Sequence, residues 1–200
     1  MGILLGVEGM MKTAVYAQQL RSLIYNSDAT MRILAAARSC SLPNWLIGAG
    51  LIRNLVWDHL HEYEQPTPAR DVDVAFFDAD DLTPERDQAA NAQLRSILPD
   101  VEWEATNQAA VHLWYREQFG KTVMPLTSGE MAIATWPETA TCTAVRLEAD
   151  DSLTIVAPFG LQDLFEMTLR RNPARVTVAQ YRQRYQDKRI AEKWPLVKIV

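Results

Sequence analysis

The 200-residue chain has two cysteines, Cys40 and Cys142, far apart and outside any Cys-x-x-Cys or Cys/His cluster. That spacing argues against a zinc site and against a disulfide scaffold. Long apolar runs are also missing. The opening Met1-Gly-Ile-Leu-Leu-Gly-Val-Glu8 is short, lacks a basic flank and meets an acid at once. It reads as neither a signal peptide nor a membrane span, so no membrane partner is expected and a cytoplasmic location is. There is no Gly-x-Ser-x-Gly elbow and no Walker loop, which removes those routes to hydrolase or P-loop chemistry. Of three histidines, His59 and His61 lie two apart on an expected helix and face different ways, so they cannot jointly chelate an ion. No internal repeat or low-complexity stretch stands out.

What is present is an ordinary globular composition, 48% apolar and 22% charged, in a chain long enough for one domain with a real core. The net charge of −5 is unevenly spread. Residues 165–200 carry nine Lys/Arg against three Asp/Glu, while residues 1–164 carry eleven against twenty-two. The acidic body repels nucleic acid in general. The basic tail can meet phosphates locally, or is simply a solvated helix face that balances the body.

The pattern of elements reads as α/β with a mixed sheet. Helices are expected over 15–25 and 28–40, the second capped by Ser27 or Asp28 with Ile33, Ala36, Ala37 and Cys40 on one face. Residues 44–48 form a short buried strand, 51–62 an amphipathic helix, and 71–77 a strand of period-2 character. A helix opened by Pro84, a strand over 101–106, helices over 108–118 and 128–135, and a hairpin of 142–148 with 152–157 follow. Closing helices are expected over 160–171 and 177–193. The organisation expected is a disordered lead (1–14), an α/β core (15–164) and a basic helical extension packed on it (165–200).

Two elements carry chemistry. Asp71 and Asp73 lie two apart on a strand and therefore share a face, while Val72, Val74 and Phe76 turn the other way into the core. Side-by-side carboxylates repel unless a cation neutralises them, and Mg²⁺ suits such a pair with substrate phosphates completing its shell. With thirteen aspartates in the chain, one Asp-x-Asp pair is expected by chance. Asp78-Ala-Asp80 repeats the spacing in a loop and receives no role. The second element lies upstream. A buried strand ends in Gly48-Ala49-Gly50 and a helix begins, which allows close backbone approach and offers free N–H groups at a helix N-terminus. Arg53, one turn in, is placed to reach a phosphate or to pair with a carboxylate.

Strand, glycine turn, helix, loop and Asp-x-Asp strand, with roughly twenty residues from Gly50 to Asp71, form an ordered arrangement. It resembles the DNA polymerase β-like nucleotidyltransferase superfamily, and Gly50-Leu-Ile-Arg-Asn54 looks like the Gly-x-Val-Arg-Asp segment of tRNA CCA-adding enzymes. From about residue 20 the chain resembles an uncharacterised bacterial family of nucleotidyltransferase proteins. The similar stretches are Trp45–Asn54, Arg70–Val74, Trp103–Gln108, Trp136–Ala140 and Ala157–Leu161. The resemblance implies a mixed-sheet nucleotidyltransferase-like core with flanking helices. It also implies a Mg²⁺-dependent enzyme that moves a nucleoside monophosphate from an NTP to an acceptor hydroxyl on a small molecule, an RNA end or a protein. Asp71 and Asp73 would bind metal, and a third carboxylate, Glu104 or else Glu102, would join them. Gly48, Ala49, Gly50, Arg53 and Asn107 would contact the nucleotide. Ala49 departs from the superfamily's Gly-Gly or Gly-Ser turn and removes the serine hydroxyl, leaving backbone N–H groups. The rival reading is a non-catalytic nucleotide- or protein-binding module of the same fold, and a third is an RNA binder that uses the basic tail.

Overall fold

The computed structural model describes residues 2–200, with side chains from Met11 onward. The chain runs α1 (Gly2–Tyr25), α2 (Asp28–Ser39), β1 (Leu46–Gly48), α3 (Ala49–Leu60), β2 (Val72–Phe76), α4 (Pro84–Ile97), β3 (Trp103–Asn107), α5 (Val111–Phe119) and α6 (Gly129–Ile133). It continues through β4 (Ala144–Leu147), β5 (Leu153–Val156), α7 (Gln162–Phe165), β6 (Thr168–Leu169), α8 (Val178–Asp187), α9 (Ile190–Lys193) and β7 (Lys198–Ile199). The expected mixed α/β architecture is present. Five strands lie in the order β3-β2-β1-β4-β5, with β2 and β3 parallel across the α4 crossover and the remaining pairs antiparallel.

Alternation along the strands gives the sheet two unlike faces. Val72, Val74 and Phe76 join Ile47, Trp103, Ala105 and Val145 in the main core, against buried residues of α1, α2, α3 and α4. Burying each such large apolar side chain is worth about 1.5–3 kcal/mol, which holds the register of β2. The other face carries a smaller cluster of Leu46, Ala75, Ile133, Cys142 and Ala144. Asp71 and Asp73 share this second face with Ala75, so the stretch that buries one side of β2 leaves its acids on the less covered side.

Three expectations are corrected. Residues 2–14, read as a disordered lead, belong to α1; Met1 lies outside the described residues. Leu20 and Ile24 are fully buried and Tyr16 stacks on Phe165 at 4.8 Å, so tertiary contacts hold this helix. The helix expected over 160–171 is only the four-residue α7, followed by β6, which pairs in parallel with β7 at the chain end. The long closing helix is broken at Arg189, whose φ of 52° separates α8 from α9. Within the C-terminal segment Tyr181, Ile190 and Trp194 sit in the main core. Trp194 packs edge-on against Trp57 with ring centroids 5.4 Å apart. His61 caps α3, with Nδ1 2.7 Å from the Trp57 carbonyl and Nε2 accepting from the Leu196 N–H. Among the described residues no helix is long and apolar enough to cross a membrane.

Candidate active site

Parallel pairing of β2 and β3 sets Asp73 directly beside Glu104. Asp71 stands one pleat earlier on the same face. The three carboxylates offer oxygens that all lie within 4.8 Å of one another. None of them forms an ion pair or a hydrogen bond among the described residues. Burial, together with repulsion from Asp71 and Glu104, pushes the Asp73 carboxyl up to about 6, and Lys188 and Arg184 only partly oppose the shift. A cluster of unpaired like charges is costly without a cation, and three carboxylate oxygens with open positions suit a hard divalent ion. Glu102 precedes the strand and its carbonyl accepts the Val72 N–H. Glu104, not Glu102, is the third carboxylate of the cluster.

The acids line a cavity of about 600 Å³ that is also lined by five basic residues, Arg53, Arg70, Arg184, Lys188 and Lys193. Arg53 is 6% exposed. Its Nε and Nη2 donate to Asn54 Oδ1 at 3.2 and 2.7 Å, and its guanidinium lies 5.6 and 5.1 Å from the Trp57 and Trp194 ring centroids. Asn54 is itself held by its amide donating to the Thr67 and Pro68 carbonyls. Of the two roles open to Arg53 in the sequence, carboxylate pairing is not used: no acid lies within ion-pair distance among the described residues. Burial lowers its guanidinium to about 10. Burial and the charges of Arg53 and Arg184 likewise lower Lys188. A buried guanidinium without a carboxylate, opening on a cavity, has donors suited to an anion.

The glycine turn divides into three different roles. A Cβ on Gly48 would fall 2.3 Å from the Thr143 carbonyl and 2.8 Å from both Ala144 and Trp136. Gly48 is thus demanded by packing, and it does not line the cavity. Ala49 has a left-handed φ of 48°, and its N–H donates to the Thr143 carbonyl at 3.3 Å. Ala49 lines the cavity, but its N–H is engaged by the fold. Gly50 does line the cavity, and a Cβ there would meet only Arg53 Nη2 at 4.0 Å. Its N–H, in the first helical turn, has no intrahelical acceptor.

Asn107 is also corrected. It is fully buried; Oδ1 accepts from the Asp78 and Ala109 N–H groups and Nδ2 donates to the Asp78 and Asp81 carbonyls. With its amide fully used, it ties down the loop after β2 and does not line the acidic cavity. Conversely, Arg184, Lys188 and Lys193 were visible only as part of the tail's positive charge. Their convergence on the acids depends on how α8 and α9 dock.

The matches to known proteins agree with this geometry. A family model described as nucleotidyltransferase matches residues 35–199, and the chain belongs to that family. A structure solved by NMR and described as a CCA-adding enzyme head domain superposes with a TM-score of 0.74 at 26% identity, covering 92% of this chain and 95% of its own. The Thermotoga maritima CCA-adding enzyme complexed with tRNA gives a TM-score of 0.55 at 12% identity, and a CCA-adding enzyme complexed with ATP gives 0.53 at 13%. These two share the fold, and the match spans 42% of each of their chains. No curated protein matches the chain. The fold is that of a nucleotidyltransferase head domain, and the family supports nucleotidyl transfer as the general activity.

Proposed function

We propose that the protein is a metal-dependent nucleotidyltransferase that moves a nucleoside monophosphate from an NTP to an acceptor hydroxyl. The observation that carries this reading is that three unpaired carboxylates and a buried, carboxylate-free Arg53 line one cavity. Asp71, Asp73 and Glu104 would hold Mg²⁺. The ion would neutralise charge on the transferring phosphoryl group and lower the pKa of the acceptor hydroxyl. Arg53, Lys188 and Lys193 balance the charge of the triphosphate, and Arg53 is kept in place by Asn54 and two indole faces. Gly50 lets the chain approach a phosphate oxygen and leaves an N–H for it. Arg184 is anchored at 3.0 Å to buried Glu138, which fixes its place in the cavity lining. A cytoplasmic setting, where NTPs are supplied, fits this role. The acceptor class stays a small molecule, an RNA end or a protein hydroxyl.

One observation favours the rival, a binding module without turnover: the Ala49 N–H is consumed by Thr143. Metal-dependent pyrophosphate release separates the two. Thermal shift against ATP, CTP, GTP and UTP, with and without Mg²⁺, identifies the donor. Asp71→Asn should reduce pyrophosphate release by about 100-fold or more while keeping the melting temperature. Full activity in that variant sinks the metal assignment. A Mg²⁺-dependent shift without pyrophosphate under any acceptor favours the module.

A further inference from the structure

A second cavity, of about 440 Å³, adjoins the acidic one, with Trp136, Pro137 and Arg184 lining both. It begins where the site ends on β3. Glu104 lines the acidic cavity, and Thr106 and Gln108, the next two residues on the same strand face, line the second. The ladder runs on that far, since the Gln108 N–H donates to the Phe76 carbonyl at 2.8 Å. Three rings of α5, those of Trp114, Tyr115 and Phe119, line it. Tyr115 and Phe119 have centroids 4.6 Å apart, Trp114 lies 6.2 Å from Tyr115, and the Arg175 guanidinium sits 4.8 Å from the Tyr115 ring. No Asp, Glu or Lys lines this cavity; its charged residues are Arg175 and Arg184.

We propose that this cavity binds the acceptor, and that the acceptor is a small molecule with a flat, uncharged or anionic ring and a hydroxyl. The inference deepens the transferase reading and rests on it. Displacement at a phosphorus places attacking and leaving oxygens roughly in line. The leaving pyrophosphate belongs on the side of Gly50 and Arg53, which follow β1. The attacking oxygen therefore approaches from the other side of β2, along β3, past Glu104. Aromatic walls favour a planar ring by stacking, and Thr106, Gln108 and Gln180 offer polar groups at its edge. Arg175 has no carboxylate partner among the described residues, Arg184 is already paired with Glu138, and the lining offers no acid to receive a polyamine sugar. The acidic body, at −11 over residues 1–164, disfavours a long nucleic-acid strand.

The test uses 6-hydroxynaphthalene-2-sulfonate, a fluorescent, anionic, flat-ring alcohol. It is titrated into the full chain with and without Mg²⁺ and α,β-methylene-ATP, with kanamycin and a ten-nucleotide RNA as competitors. The probe should bind both forms. Tyr115→Ala and Phe119→Ala should weaken it at least 10-fold, about 1.4 kcal/mol, with Tyr115→Phe close to wild type and nucleotide affinity unchanged in all three. Binding should persist in Asp71→Asn/Asp73→Asn, so the cavity is tested even where the metal reading fails. Probe affinity unaffected by the α5 variants overturns the proposal. So does loss of nucleotide affinity in those variants or loss of probe binding on nucleotide loading, either of which assigns the cavity to the donor base. Displacement by kanamycin or RNA at lower concentration than the probe overturns the acceptor class.

Discussion

The indole N–H of Trp194 donates to Asp58 Oδ1 at 2.7 Å, joining the end of the chain to the buried side of α3. The same carboxylate accepts from the N–H and hydroxyl of Thr67 at 2.6 and 2.7 Å, which holds the loop leading to Asp71. Asp58→Ala removes three hydrogen bonds and leaves buried donors unsatisfied. It should cost about 2–4 kcal/mol in urea unfolding. Trp194→Phe, which keeps most of the packing, should cost less, about 1–2 kcal/mol. Equal stability of Asp58→Ala and wild type would remove Asp58 from this role.

Residue 49 is strained by its side chain, and residue 48 has no room for one. Ala49→Gly relieves the left-handed φ of 48° and should raise stability by about 1 kcal/mol. Gly48→Ala drives a Cβ to 2.3 Å from the Thr143 carbonyl and should be strongly destabilising. Gly50→Ser should fold normally, because only Arg53 lies within 4 Å. Thermal melts should place Ala49→Gly above wild type, Gly50→Ser close to it and Gly48→Ala well below it; a stable Gly48→Ala would disprove the close approach.

Asp73 gives the metal-free protein a definite pH response. Its carboxyl is raised to about 6 in the fold, from about 3.9 in an unfolded chain. The native state therefore binds more protons between those values. The contribution of Asp73 to stability is full below pH 4 and is lost as pH rises through 6, by at most about 3 kcal/mol. Asp73→Asn should thus gain on wild type across pH 4–6 and hold a constant advantage above it. Mg²⁺ should stabilise wild type more at pH 7.5 than at pH 5. A parallel pH profile for the two proteins would show that Asp73 is not perturbed.

Arg53 is an expensive residue for the fold alone. Arg53→Met removes a buried charge that has no carboxylate partner and should leave stability equal or higher. Nucleotide affinity should fall at least 10-fold in Arg53→Met. Arg53→Lys should not restore it, because the planar donors held beside Trp57 and Trp194 are lost. A variant that binds nucleotide normally would make Arg53 a structural residue only. Calorimetric titration with Mg²⁺-NTP, beside urea melts, reads both effects.

The local pattern of the chain was enough for several parts of this account. Alternation over residues 71–77 set which side of β2 is core and which is acidic, because a strand has a period of two. Ser27 announced the start of α2, since its hydroxyl accepts the Thr30 N–H. The order of glycine turn and Asp-x-Asp strand was legible for the same local reason. What the tertiary structure decided was which distant groups meet. Glu104 joins Asp73 only through the register of β2 and β3. Lys188 and Lys193 line the cavity of the acids only because Trp194 and Ile190 bury into the core and bring the tail to it. Asn107 looked like a ligand because a polar side chain after a strand is ambiguous until its partners are known. Four hydrogen bonds to the 78–81 loop and Ala109 assign it to the fold. Short-range periodicity determines faces and turns, whereas ion pairs, cavities and the use of each N–H depend on contacts between residues far apart in the chain.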